Sequence, residues 1–299
     1  MVPRPRTTIE VWTELGRRAK FIQDIYNAKR IPLNPGEGLA LALEEARSLA
    51  AGIKTKEAPS QERLCRTVNA AHVIYSIAES IEVCEKFGLD ISSHLAQMST
   101  GTADYGRPAM NNRTIYLKDF EYELFVISSL LRKGIIPRLF ERSNDPLGDL
   151  MFEDIVISCK HPNSLGQLKK LLGKFNRNLM EQKKFGVFAV ALEDCHNLGD
   201  TAQFESQEVY ASWLETKQDE MEIEGKKRAN YAARLSNIAG LINTQTMVKI
   251  VAGKTKMERF GNSMIFDQRA SYTLYENAAR AITGAFNPIP VLYSSGLTL

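Results

Sequence analysis

The chain has 299 residues, of which 44% are hydrophobic and 24% are charged, with a formal net charge of +3. This composition is typical of a globular protein and excludes an intrinsically disordered chain. The near balance of 38 basic and 35 acidic side chains neither requires nor excludes a nucleic-acid partner.

Two features of the sequence predict the compartment. The longest apolar run, FGVFAVAL, is too short to cross a bilayer, and the basic start MVPRPRTTIEVW lacks the apolar core of a secretory signal. The cysteines are far apart and lack the spacing of a zinc site: Cys65, Cys84, Cys159 and Cys195. We therefore expect a cytoplasmic protein with reduced thiols and no membrane partner.

The first third of the chain has helical periodicity. Apolar residues recur at helical spacing from residue 8 to about 100, in segments that end at glycines. The segment STGTADYGRPAMNNRT follows and is dense in loop-forming residues. The sequence therefore predicts a helical N-terminal region over 1–105 and an α/β domain over 114–299.

The next segments alternate between helix and strand patterns. LKDFEYELFVISSLLRKG predicts a helix that ends at Gly134, and IIPRLFER predicts an edge strand because it contains Pro137. A hairpin in GDLMFEDIVISCKHP, a basic amphipathic helix in NSLGQLKKLLGKFNRNLMEQKK and a buried strand in FGVFAVALED follow. The predicted order is helix, three strands, helix, strand.

The remaining predictions concern the C-terminal hundred residues. EIEGKKRANYAARLSNIAGLIN predicts a helix and TMVKIVAG a strand. MERFGNSMIFDQ predicts a hairpin, and SYTLYENAARAITGAF a final helix.

The hairpin carries an acid and an amine at its open end. Because side chains alternate along a strand, Ser158 and Lys160 share one face. A turn centred on Glu153 and Asp154 puts Asp149 opposite Ser158, so Asp149 and Lys160 should meet. Each residue also has a simpler interpretation: Asp149 as a turn residue, and Lys160 as a lysine that protects a sheet edge.

An Asp and a Lys side by side suit phosphodiester hydrolysis. A carboxylate binds a hard divalent cation, and a lysine can orient or deprotonate water and offset charge on the phosphate. A second carboxylate is normally needed, and the preceding helix offers Glu121 or Glu123, which cannot both face the same way.

The stretch from about Asp119 to Asp194 resembles the PD-(D/E)XK nuclease superfamily in its element order, its hairpin Asp and its Cys-Lys pair. The resemblance implies a restriction-endonuclease-like mixed sheet flanked by helices, with Mg²⁺ or Mn²⁺ as cofactor. It implies a metal-binding Asp149, a catalytic Lys160, a helix carboxylate from Glu123 or Glu121, and the Cys159 carbonyl as a further ligand. Four residues would approach substrate phosphates: His161, Gln167, Lys169 and Lys170.

The sequence departs from this superfamily at one position. Ser158 stands where the pattern has Asp or Glu two residues before the lysine, and a hydroxyl is a poor metal ligand. The site is therefore either a reduced one that still cleaves, or one that has lost its metal.

Three functions remain open at this point. The first is a metal-dependent nuclease (an endonuclease or an exonuclease), with DNA rather than RNA as the expected substrate. The second is a catalytically inactive nucleic-acid-binding or assembly protein on the same fold, and the third is a helical scaffold. The sequence leaves open whether the chain forms a homodimer.

Overall fold

A computed structural model describes residues 8–52, 61–100, 117–140, 148–196, 202–252, 254–266, 275–286 and 297–298. These residues contain eight helices: α1 (Thr8–Ala28), α2 (Gly38–Gly52), α3 (Gln61–Lys86), α4 (Ser92–Met98), α5 (Leu117–Leu131), α6 (Leu165–Glu181), α7 (Gln207–Ala232) and α8 (Glu276–Gly284). They also contain eight strands: β1 (Arg138–Leu139), β2 (Leu150–Phe152), β3 (Ile155–Lys160), β4 (Phe185–Ala191), β5 (Ala202–Phe204), β6 (Ile238–Val251), β7 (Lys254–Ile265) and β8 (Leu297–Thr298).

The strands form one mixed sheet in the order β1-β2-β3-β4-β6-β7-β8. Pairing is antiparallel from β1 to β3, parallel from β3 through β4 to β6, and antiparallel from β6 to β8. Strand β6 extends beyond its pairing with β4, and its last three residues pair with the short parallel strand β5. The predicted α/β class with a mixed sheet flanked by helices is confirmed.

Two apolar layers cover the two faces of the sheet. Ile155, Ile157 and Cys159 belong to a cluster that includes helices α1 to α5 and α8. Val156 instead joins the cluster under α6. This division follows from the alternation of side chains along β3. Because both faces are covered, β4 is apolar throughout, and β3 is apolar except for Ser158 and Lys160.

The N-terminal helices share a core with the sheet. One apolar cluster runs from Leu15 in α1 through Ile77 in α3 and Phe125 in α5 to Ile157 in β3. The predicted boundary between residues 105 and 114 lies outside the described residues. Helices α1 to α4 agree with the helical pattern of the first third of the chain.

Two of the C-terminal predictions are wrong. The segment EIEGKKRANYAARLSNIAGLIN is helical only to Ala232, and its end begins β6 at Ile238. MERFGNSMIFDQ forms no hairpin: as far as Ile265 it belongs to β7, and Gly261 lies opposite Thr244 of β6. The Gly-Asn pair looked like a turn, but the chain reverses earlier, at Ala252, whose φ of 48° is left-handed.

The other segments follow the predictions. Helix α5 is followed by Gly134 at φ 76°, and β1 is a two-residue edge strand after Pro137.

Among the residues described, no helix combines the length and the apolar character needed to span a bilayer.

Candidate functional site

The hairpin of β2 and β3 has the predicted register. Phe152 pairs with Ile155 and Leu150 with Ile157, so the next residue, Asp149, comes opposite Ser158. The turn is possible because Glu153 adopts a left-handed φ of 50°. The backbone N–H of Asp149 donates to the Ile157 carbonyl at 3.0 Å, which fixes this end of the hairpin.

Gly148 is required by a close approach just before Asp149. A Cβ atom at this position would lie 2.6 Å from Cγ1 of Val156 and 3.0 Å from the carbonyl oxygen of Ile157. Only glycine lets the chain pass over β3 here, and this passage determines where the Asp149 side chain begins.

The Asp149 carboxylate accepts hydrogen bonds from three groups of β3. The backbone N–H of Cys159 donates at 2.7 Å, the Nζ of Lys160 at 2.9 Å and the hydroxyl of Ser158 at 3.3 Å. The structure therefore brings Asp149, Ser158 and Lys160 together, as the register predicts. The Cys159 side chain itself is buried in the apolar cluster on the opposite face.

Lys160 is held as a cation. Burial alone would lower the pKa of Lys160, but the charge of Asp149 and its hydrogen bond outweigh burial and raise this pKa above its ordinary value. The ammonium group therefore acts as a hydrogen-bond donor and a fixed positive charge, not as a base. The negative charge of Glu123 raises the pKa of Lys160 further.

Helix α5 presents two acids to this site. Asp119 and Glu123 lie one helical turn apart and so share a face. Partial burial raises the pKa of Asp119 to about 6, an effect that His161 and Lys160 oppose and that Glu123 and Asp149 reinforce. Glu123 is buried, and its Oε2 lies 3.3 Å from Nε2 of His94.

Glu121, the other predicted helix carboxylate, belongs to a different cluster. Its Oε1 accepts a hydrogen bond from Arg259 at 2.8 Å and another from the Ser76 hydroxyl. Two residues along a helix correspond to about 200°, so Glu121 faces away from the side that carries Glu123. Of the two helix carboxylates that the sequence offered, only Glu123 acts on the charge of Lys160; its role as a metal ligand stays a prediction.

A second pair of acids follows β4. Glu193 and Asp194 come just after the end of this strand, which runs parallel to β3. Their carboxylates lie 3.6 Å and 3.4 Å from Nε2 of His161, whose Nδ1 lies 3.8 Å from Asp119. Carboxyl ends of neighbouring parallel strands meet at one edge of a sheet, which explains why these distant residues converge.

The predicted phosphate-binding residues have different surroundings. The His161 side chain is 4% exposed and faces carboxylates, which do not attract phosphate. The side chain of Gln167 accepts from the backbone N–H of Asn163 at 2.7 Å at the start of α6. Lys169 and Lys170 are exposed on α6.

The site has the donor chemistry of a hard-cation site. The carboxylates of Asp119, Glu123 and Asp149 are oxygen donors, which Mg²⁺ and Mn²⁺ prefer. Within the described ranges, however, no group of three or more His, Cys, Asp or Glu side chains is placed to hold a metal ion. The Asp149 oxygens are instead bonded to β3, so cation binding requires Lys160 to yield one of them.

Comparisons of this chain with protein-family models, curated proteins and solved structures find no match. The function therefore has to be argued from the site itself.

The sequence did not single out Asp119, Glu193 and Asp194 as site residues. Asp119 could have been found from its spacing of four residues before Glu123 on a helix. Glu193 and Asp194 could have been found because they immediately follow a buried strand, where α/β proteins place their ligands.

Proposed function

We propose that this chain is a metal-dependent phosphodiester hydrolase that acts on nucleic acid, with DNA as the expected substrate. One observation carries the proposal: Asp149 and Lys160 form an ion pair of 2.9 Å at the strand ends, beside the helix carboxylates Asp119 and Glu123. An acid-rich site with one fixed ammonium group suits a cation and a phosphate together.

The order of elements supports the same proposal. Helix α5, the antiparallel strands β1 to β3, helix α6 and the parallel strand β4 succeed each other along the chain, and the strands are adjacent in the sheet in that order. This is the arrangement that the resemblance to the PD-(D/E)XK nucleases implies. We propose a restriction-endonuclease-like core on this basis.

Each residue of the site has a role in the proposed reaction. Asp149, Glu123 and the Cys159 carbonyl would hold the cation, with Asp119 one turn before Glu123. Bound Mg²⁺ or Mn²⁺ would polarise the phosphate and lower the pKa of water. Lys160, as a cation, donates a hydrogen bond to the attacking water or to a phosphate oxygen. The Ser158 hydroxyl helps to fix Asp149, to which it donates.

Cleavage assays on matched variants test this proposal. Labelled single-stranded and duplex DNA and RNA are incubated with Mg²⁺ or Mn²⁺, and Asp149→Asn and Lys160→Met are compared with the wild type. Asp154→Asn and Lys184→Met are controls, because this pair forms an exposed ion pair at the opposite end of the hairpin. Loss of cleavage in the first two variants alone is the expected result. Equal activity in all five proteins would overturn the assignment.

A second candidate is a non-catalytic nucleic-acid-binding protein on the same fold. It is favoured by Ser158, which is 2% exposed and occupies the place of the missing acid. Ser158→Asp and Ser158→Glu distinguish the two candidates. Cleavage that appears only in an acidic variant, while the wild type binds nucleic acid without cutting it, would establish the binder.

Localisation and assembly follow from the same proposal. The described cysteines Cys84, Cys159 and Cys195 are free thiols, in keeping with action in a reducing cytoplasm. Light scattering on the purified chain, alone and with an oligonucleotide, tests whether it acts as a homodimer.

A further inference from the structure

Arg228 on helix α7 is a buried cation that the proposed reaction does not use. The residue is 7% exposed, and its Nη1 lies 3.2 Å from Nε2 of His196. Its Nε has no hydrogen-bond partner, and in the part of the chain that the structure describes it forms no ion pair. Burial of a cation without an ion pair destabilises the folded chain, and a bound anion would offset this destabilisation.

The hydrogen bond between Arg228 and His196 fixes the tautomer of His196. A guanidinium group can only donate, so Nε2 of His196 must accept and its proton resides on Nδ1. Burial, followed by the charge of Arg228, lowers the pKa of His196, which keeps the imidazole neutral. With Nε2 bonded to Arg228, His196 presents no free acceptor nitrogen that would oppose an anion bound by Arg228.

The neighbouring side chains offset this positive charge only in part. Burial raises the pKa of the Cys195 thiol to about 12, so the thiol is neutral, and it donates to the Pro162 carbonyl at 3.2 Å. Glu224, one turn before Arg228 on α7, is bonded to Lys227 at 2.7 Å. Burial lowers the pKa of Arg228, and Cys195 and Glu224 oppose this effect only in part.

The position of this pair relates it to the candidate site. His196 follows Asp194 by two residues, and Asp194 contacts His161 beside Lys160. Anion donors therefore lie next to an acidic, cation-attracting cluster at one edge of the sheet. A nucleic-acid strand presents a series of phosphates, and one of them can occupy the donor pair while its neighbour lies at the acid cluster.

We infer that Arg228 and His196 form a phosphate subsite that binds the nucleic-acid backbone next to the scissile phosphate. The inference rests on the proposed function, because it takes the substrate to be nucleic acid. It assigns to Arg228 a phosphate contact that positions the strand and carries no base specificity.

Binding without cleavage tests the subsite separately from the reaction. Fluorescence anisotropy with labelled single-stranded and duplex DNA is measured in EDTA, over a series of NaCl concentrations, for the wild type, Arg228→Gln and Arg228→Lys. Lys226→Gln is the matched control, since Lys226 is exposed on the same helix and pairs with Glu222. Asp149→Asn is included to separate binding from cleavage.

We expect Arg228→Gln to weaken binding by about tenfold to a hundredfold. The slope of log K against log salt should fall by about 0.7 for single strands and 0.9 for duplex. Arg228→Lys should lose less, and Lys226→Gln should stay within about twofold of the wild type. Asp149→Asn should bind at least as tightly as the wild type in EDTA, because it removes a negative charge beside the bound strand. Unchanged affinity and salt slope in Arg228→Gln would overturn the subsite.

Two further measurements keep the outcomes distinct. The midpoint of thermal unfolding should not fall in Arg228→Gln, because the variant removes a buried charge that forms no ion pair with the described residues. If this variant folds poorly while its folded fraction binds normally, Arg228 has a structural role only.

Inorganic phosphate should raise the midpoint of thermal unfolding of the wild type. If phosphate does so while no oligonucleotide binds, the subsite takes free phosphate and the nucleic-acid assignment is overturned. If Arg228→Gln weakens binding but the wild type never cleaves, the nuclease proposal fails and the subsite stands.

Discussion

Helix α5 carries acids of two buried charge clusters, and the clusters differ in their balance of charge. Glu121 and Arg259 are 8% and 2% exposed and are bonded at 2.8 Å. Arg259 also donates to Thr246 at 2.8 Å and lies over the ring of Phe125 at 4.0 Å. Burial would raise the pKa of Glu121, but Arg259 and the other neighbours outweigh it and lower this pKa. The opposite charges of Glu121 and Arg259 compensate each other within the fold, although Nη1 of Arg259 has no hydrogen-bond partner among the described residues.

The second cluster has more negative than positive groups. Its carboxylates come from α5, from the start of β2 and from the end of β4: Asp119, Glu123, Asp149, Glu193 and Asp194. They face Lys160 and His161, with Lys118 at the rim 3.3 Å from Asp194. A buried pair of opposite charges stabilises the fold. An excess of negative charge at the strand ends instead favours binding of a positively charged ligand. Four experiments test this difference between the two clusters.

The largest effect is expected on catalysis. Asp149→Asn should lower the cleavage rate by at least about 1,000-fold, because it removes the central carboxylate of the site. The free energy of unfolding should change by less than about 2 kcal/mol, since the pair with Lys160 is partly exposed. Cleavage kinetics and urea unfolding measure the two quantities. A stability loss as large as that of Glu121→Gln would contradict the distinction between the clusters.

Glu121→Gln should have its main effect on stability. The substitution leaves Arg259 buried without a counter-charge, at a cost of about 3–5 kcal/mol in the free energy of unfolding. Urea unfolding followed by circular dichroism measures this loss. The double variant Glu121→Gln with Arg259→Met should recover part of it, because no unpaired charge remains. A single variant as stable as the wild type would show that the pair does not hold α5 against β7.

Gly148→Ala tests whether the second cluster depends on the close passage of the chain over β3. We expect a loss of about 1–3 kcal/mol in stability, because the added Cβ would lie 2.6 Å from the Val156 side chain. Cleavage should fall with it, since Asp149 is displaced. Gly166→Ala in the first turn of α6 is the control. Its Cβ would meet nothing within 4 Å, and it should stabilise by about 0.5–1 kcal/mol.

The smallest effect concerns Asp119 and pH. Its pKa of about 6 in the folded chain lies above the ordinary value of 3.8, so the folded state holds the proton more tightly. Stability contributed by this proton is present below pH 4 and is lost as the pH rises through 6. Asp119→Asn should therefore be more stable than the wild type above pH 6, by about 1 kcal/mol or less because the side chain is 42% exposed. Unfolding curves at pH 4 and pH 7 measure the difference, which should vanish at pH 4.

Local patterns predicted much of the fold. The alternation of residues 155–160 and the two-residue turn gave the hairpin register, and helical spacing gave α5 and α6. The predictions were wrong where a local sequence pattern competes with pairing to a neighbouring strand. Gly261 and Asn262 resemble a turn, yet a long partner strand holds them extended. Strand β6 begins so soon after α7 ends that the apolar periodicity predicted one helix across both.

The contact between Asp149 and Lys160 could be predicted from local sequence alone, because both residues lie on one hairpin whose register follows from its own apolar residues. Only the tertiary structure decided that Glu123 faces this pair while Glu121 pairs with Arg259, a residue 138 positions away. It also decided that Glu193 and Asp194 approach His161. The physical reason is that parallel pairing and helix packing join segments whose contacts depend on the whole sheet, not on neighbouring residues.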